Sequence, residues 1–107
     1  MKLKPGVNPF GLKPELLLAL MVAESVWTQS GVELVVTSLN DGKHSKTSLH
    51  YAGCAADIRT NNITEIGKKE WLVEQLRFCL GQNPDYDVIL EIDHIHIEYQ
   101  PKYRGEA

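Results

Sequence analysis

The stretch His94-Ile95-His96-Ile97-Glu98-Tyr99 decides how this chain is read. Successive side chains of a β-strand point to opposite sides of the sheet. Ile95, Ile97 and Tyr99 therefore share one face, and His94, His96 and Glu98 share the other. The isoleucines mark the first face as core-facing. The second carries two imidazoles and a carboxylate. Alternate side chains along a strand stand ~6.5–7 Å apart, so the two histidines can contribute to one site.

Working outward, all four histidines of the chain fall in two short windows. His94 and His96 lie among Glu91, Asp93 and Glu98. His44 and His50 lie before Asp57 in the window 44–57, which ends in the stretch Ser48-Leu49-His50-Tyr51-Ala52-Gly53-Cys54-Ala55-Ala56-Asp57. His50 ends a polar loop, Gly53 lets the chain bend, and Ala55 to Thr60 reads as a short strand carrying Asp57. Two neutral imidazoles and a carboxylate are a common protein ligand set for catalytic zinc, with the fourth position left to water. Such a site also needs a free carboxylate to take and return a proton. Glu91 is placed for that role, and Asp93 competes with it. Histidines one residue apart on a strand also occur in proteins without metal. The chain has no His-Glu-x-x-His helix and no cysteine pair at zinc-ribbon spacing.

The remaining elements frame these windows. Residues 1–12 read as an extended arm punctuated by Pro5, Gly6, Pro9 and Gly11. A helix is expected over 13–29, with Pro14 in its first turn and Leu16, Leu20, Ala23 and Trp27 at helical spacing, flanked by Leu17 and Met21. Val32 to Ser38 is rich in β-branched residues and reads as a strand. A second helix is expected over 64–80, burying Trp71, Leu72, Leu76, Cys79 and Leu80, with Gly81 at its C-terminal cap. After the turn Asn83-Pro84-Asp85, Tyr86 to Glu91 is strand-like. This order predicts an α+β fold, a small, mainly antiparallel sheet packed with two main helices.

At 107 residues the chain is one domain, and 43 % hydrophobic with 23 % charged residues is ordinary for a globular protein. A net charge of −3 argues against a basic nucleic-acid face. No apolar run nears the ~20 residues of a membrane span, so no membrane insertion is expected. Pro5 to Pro9 stands where the apolar segment of a secretory signal belongs. The expectation is synthesis in the cytoplasm without a signal peptide, as a monomer.

The pattern Ser48-x-His50-x-x-Gly53-x-Ala55-x-Asp57 followed by His94-Ile95-His96 resembles the zinc D-Ala-D-Ala carboxypeptidases and the phage L-alanyl-D-glutamate endopeptidases. The same fold occurs in the signalling domain of hedgehog proteins, which the chain resembles locally at His44-Ser45, Ser48-Leu49-His50-Tyr51, Asp57-Ile58 and His94-Ile95-His96. The resemblance covers roughly residues 35–60 and 88–99. It implies one zinc ion per chain held by His50, Asp57 and His96. Glu91 would be general base and acid. His94 would stand beside the metal and hydrogen-bond the substrate carbonyl. Ser48, His44, Asp93 and Arg59 would line the site or support it. The implied activity is hydrolysis of an amide bond in peptidoglycan stem peptides by a phage-type lysis enzyme, reaching the cell wall through a separate membrane pore or from a virion. The alternative is a non-catalytic, zinc-stabilised binding or structural domain of the same fold.

The chain departs from the family between Thr37 and Lys43, where many members carry an arginine that grips a substrate carboxylate and this chain has none. Lys43 or Arg59 can substitute, Arg59 being in phase with Asp57. Cys54 alternates away from Asp57 and reads as a packed thiol. Glu98 reads as a neighbour of the site rather than a fourth ligand.

Overall fold

Leu16, Ala19, Leu20, Ala23, Val26 and Trp27 line one side of helix α1 (Pro14–Gln29) and are buried. Pro14 occupies the first turn, where its missing N–H costs nothing. Leu17 and Met21 were expected to widen the stripe, but stand 47 % and 58 % exposed. Each lies 100° around the helix from the buried Leu16 or Leu20, beyond the width that the sheet covers.

The computed structural model describes residues 1–39 and 53–102. Their elements are β1 (Lys2–Leu3), α1, β2 (Val35–Ser38), β3 (Ala55–Arg59), α2 (Lys68–Cys79), β4 (Tyr86–Leu90) and β5 (His94–Tyr99). The strands form one five-stranded sheet in the order β1-β2-β3-β5-β4. The fold is α+β, but the sheet is mixed rather than mainly antiparallel. β1 pairs parallel with β2, whereas β2–β3, β3–β5 and β4–β5 are antiparallel. The arm over residues 1–12 is thus not wholly outside the sheet. Lys2 N donates to Leu34 O at 2.8 Å and Lys4 N to Val36 O at 2.9 Å, which zips the start of the chain onto β2.

One face of this sheet is the core. Val36, Ala56, Ile58, Val88, Ile95 and Ile97 are buried there with the stripe of α1 and with Leu72, Val73 and Leu76 of α2. Burying a side chain such as Ile97 contributes roughly 1.5–3 kcal/mol. Helix α2 is shorter than the expected 64–80, because Gly67 adopts a left-handed φ of 80° and starts the helix only at Lys68. Trp71 and Cys79 were expected on its buried side and are exposed. The buried stripe runs through Leu72, Val73 and Leu76 instead. Leu80 is half-buried against the core, and Gly81 follows with φ 74° as the cap requires.

Two further contacts shape the sheet. Gly53 enters β3 with φ 74°, and a Cβ there would collide with Gly11 O. The arm then turns into α1, with Lys13 N donating to Gly53 O at 2.9 Å. At the opposite edge, Arg77 of α2 donates from Nε to Val88 O of β4 at 3.1 Å, and its Nη2 bonds the same oxygen. Because Glu91 N donates to His94 O, the residues of β4 in phase with Glu91 bond β5, and Val88 turns its carbonyl outward. Among the described residues no helix is long and apolar enough to cross a membrane.

Candidate metal centre

The antiparallel register of β3 and β5 sets Asp57 opposite His96 and Arg59 opposite His94. Residues directly opposite in such a ladder share a face, with Cβ atoms ~4.5–5.5 Å apart. Ile58, Ile95 and Ile97 fill the core on one side, so Asp57, His94, His96 and Glu98 converge on the other. Residues separated by 39 positions in sequence thus become hydrogen-bonded neighbours.

His96 is held at both ring nitrogens. Its Nδ1 lies 2.8 Å from Asp57 Oδ1 and its Nε2 2.7 Å from Glu98 Oε1. His94 Nε2 lies 3.5 Å from the same Asp57 oxygen. The other nitrogen of His94 bonds Asp93 Oδ1 at 2.6 Å. The side chains of His94, Asp57, His96 and Glu98 are 28 %, 18 %, 17 % and 19 % exposed, sheltered but reachable by water. Thr37 Oγ1 donates to the main-chain oxygen of Asp57 at 3.3 Å and ties β2 to the site.

The two carboxylates around His96 favour a charged imidazole. The hydrogen bond to Asp57 is the main cause. Burial works against it and the bond to Glu98 adds to it, so the His96 pKa is pushed up from 6.5 to about 9. A metal must displace that proton, since only an unprotonated ring nitrogen has a lone pair to give.

The donor set fits a divalent cation. One carboxylate oxygen of Asp57 and one nitrogen each of His94 and His96 lie within 4.8 Å of one another. Mixed nitrogen and oxygen donors suit zinc, with cobalt and manganese as weaker alternatives. Two of the expected ligands, Asp57 and His96, are therefore brought together, with His94 beside them. The third expected ligand, His50, lies outside the described residues, as do Ser48 and His44. Glu91 stands at the end of β4, exposed, and its backbone bond to His94 continues the β4–β5 register one step. That register sets it opposite His94 on the face of the donors. Asp93 lies in the hairpin turn and engages His94 through its carboxylate. The Cys54 thiol is half-buried, and burial pushes its pKa up, as suits a packed thiol rather than a ligand.

A cavity of about 470 Å³ adjoins these donors, with Asp57, His94 and Arg59 in its wall. Lys4 and Lys69 also line it. Sequence reasoning missed both, because the arm and α2 carry no motif that ties them to Arg59. Comparison of the chain with protein-family models, with curated proteins and with solved structures gave no match.

Proposed function

We propose that the chain is a zinc-dependent peptidase that hydrolyses an amide bond in peptidoglycan stem peptides, of the L-Ala-D-Glu endopeptidase or D-Ala-D-Ala carboxypeptidase type, and serves as a phage-type lysis enzyme. One observation carries the reading. Asp57, His94 and His96, drawn from two distant sequence windows, meet on the wet face of the sheet. Because whole-chain comparison yields no relative, the motif and this convergence are its support.

Asp57 and His96, with His50 as the resemblance implies, would hold the zinc, which would supply Lewis-acid polarisation of the scissile carbonyl and a water acidified toward a pKa of ~7. Glu91 accepts the proton of the attacking water and delivers it to the leaving amine. His94 is oriented by Asp93, which accepts from Nδ1–H. It hydrogen-bonds the carbonyl oxygen as negative charge develops there. Glu98 fixes the plane of the His96 ring, as partners outside the ligand set commonly do.

The test is metal analysis of the purified chain, then incubation with purified peptidoglycan and mass spectrometry of the released fragments. One zinc per chain with new amino termini after L-Ala identifies the endopeptidase, and release of D-Ala alone the carboxypeptidase. Stoichiometric zinc with no fragment released overturns the enzyme and leaves the zinc-stabilised binding domain. A chain that binds no zinc overturns both.

A further inference from the structure

Of the two tryptophans in the chain, Trp27 is fully buried and Trp71 stands 50 % exposed on α2. Trp71 forms one wall of a cavity of about 410 Å³ between the end of α1 and the start of α2, within the size of small-ligand sites. Gln29, Ser30, Glu65 and Lys68 bring polar groups to it, and Ile66, fully exposed, joins them. Lys68 Nζ donates to Ser30 O at 2.8 Å, which ties the two helices together across the site. Between Ile66 and Lys68 the chain has Gly67, with nothing within 4 Å of where a Cβ would stand. The backbone there leaves the cavity open. A smaller cavity of about 230 Å³ shares Glu65 and Ile66 with the first, and Lys69 with the cavity beside the donor cluster. A continuous concave run therefore leads around the first turn of α2 from the donors to Trp71.

We propose that the Trp71 cavity is a saccharide subsite for the N-acetylated glycan strand from which the stem peptides hang. The assignment rests on the peptidase reading for its ligand. A stem peptide is joined to the glycan at its L-Ala end, so a chain that cleaves the peptide in the wall also meets sugar. The lining suits a sugar ring. One face of a pyranose is a layer of C–H bonds with partial positive charge, which complements the negative π face of an indole. Its edge carries hydroxyls that both donate and accept. Gln29 can do both, Glu65 accepts and Lys68 donates. Ile66 offers an apolar contact to an acetamido methyl. An apolar segment of a protein partner would instead cover these polar groups without giving them hydrogen bonds, which is costly.

The probe is chitotetraose, the N-acetylglucosamine tetramer, with cellotetraose as the same backbone lacking acetamido groups. Each is titrated into the purified chain and followed by chemical-shift change at the Trp71 indole N–H and the Gln29 side-chain amide. Chitotetraose is expected to saturate the site and to bind about tenfold tighter than cellotetraose, the worth of one or two neutral hydrogen bonds to the acetamido group. Trp71→Ala should weaken chitotetraose about tenfold through lost stacking. Unchanged amide shifts of the buried Ile95 and Ile97 show that the fold is intact in that variant. Trp71→Phe should recover part of the loss, and Gln29→Ala, at an exposed position, should weaken binding less than Trp71→Ala. Absence of saturable binding, equal binding of the two tetramers, or affinity that survives Trp71→Ala overturns the subsite. Peptidoglycan cleavage alongside any of those results leaves the peptidase reading standing. Saccharide binding without any cleavage overturns the peptidase reading and leaves the saccharide subsite standing.

Discussion

The two faces of the strand pair β3–β5 are built from the same residues in alternation, yet they do opposite work. On one face Ala56, Ile58, Ile95 and Ile97 are completely buried beneath the helices. On the other, Asp57, Arg59, His94, His96 and Glu98 keep contact with solvent. The apolar face gives its residues no chemistry beyond exclusion of water. The polar face spends charged groups where burial would be costly, and each carboxylate of the donor cluster is paired with an imidazole. The apolar face fixes the backbone to which the donors are attached, so the site inherits its geometry from the core. The two faces should therefore fail in different ways.

The sharpest break is Ile97→Ala. It empties a fully buried position and is expected to cost about 2–5 kcal/mol in denaturant unfolding, with or without zinc. On the other face, His96→Ala should leave the metal-free chain folded, though without the stability that the His96 bonds to Asp57 and Glu98 supply near neutral pH, and should abolish stoichiometric zinc in metal analysis. It should also erase any stabilisation by zinc, expected at about 2.7 kcal/mol for a binding chain at zinc one hundredfold above its Kd. If both substitutions unfold the chain alike, the division between the faces is wrong.

Gly53→Ala probes whether the polar face also depends on the arm. The added methyl would collide with Gly11 O from a left-handed backbone, and a loss of about 1–3 kcal/mol is expected. Gly31→Ala is the control, since Gly31 has a similar φ of 73° with nothing within 4 Å. A smaller loss there isolates the contact with the arm from backbone strain. The last effect is on pH dependence. The His96 pKa rises on folding, so the folded state holds its proton more tightly than the unfolded chain. This contribution is complete below about 6.5 and fades as pH climbs to about 9. Stability of the metal-free chain should thus decline across that window, and His96→Gln should flatten the decline in denaturation midpoints measured against pH.

Much of this division was legible in the sequence because period-two alternation is a strong signal over six residues. Ile95 and Ile97 declared the core, and the intervening histidines declared the opposite face. The stripe of α1 was equally plain. The second window gave Asp57, and the sheet register delivers it to His96. Other features left no periodic trace. A two-residue strand such as Lys2–Leu3 is too short to alternate, and its parallel pairing made the sheet mixed. Trp71 reads as buried with Leu72 and Leu76 of the second helix, whereas the phase set by those leucines turns it outward. The gathering of Lys4 and Lys69 around Arg59 depends on tertiary packing alone.

The guanidinium of Arg77 has a consequence at the far rim of the sheet. β4 is an edge strand, and an outward carbonyl on such a strand invites the N–H of a strand from another molecule. Here the invitation at Val88 is already taken. A second chain laid along that rim would have to evict the arginine and forfeit its bonds to pair with Val88, so the edge is blunted at its middle, beside the exposed Ile89.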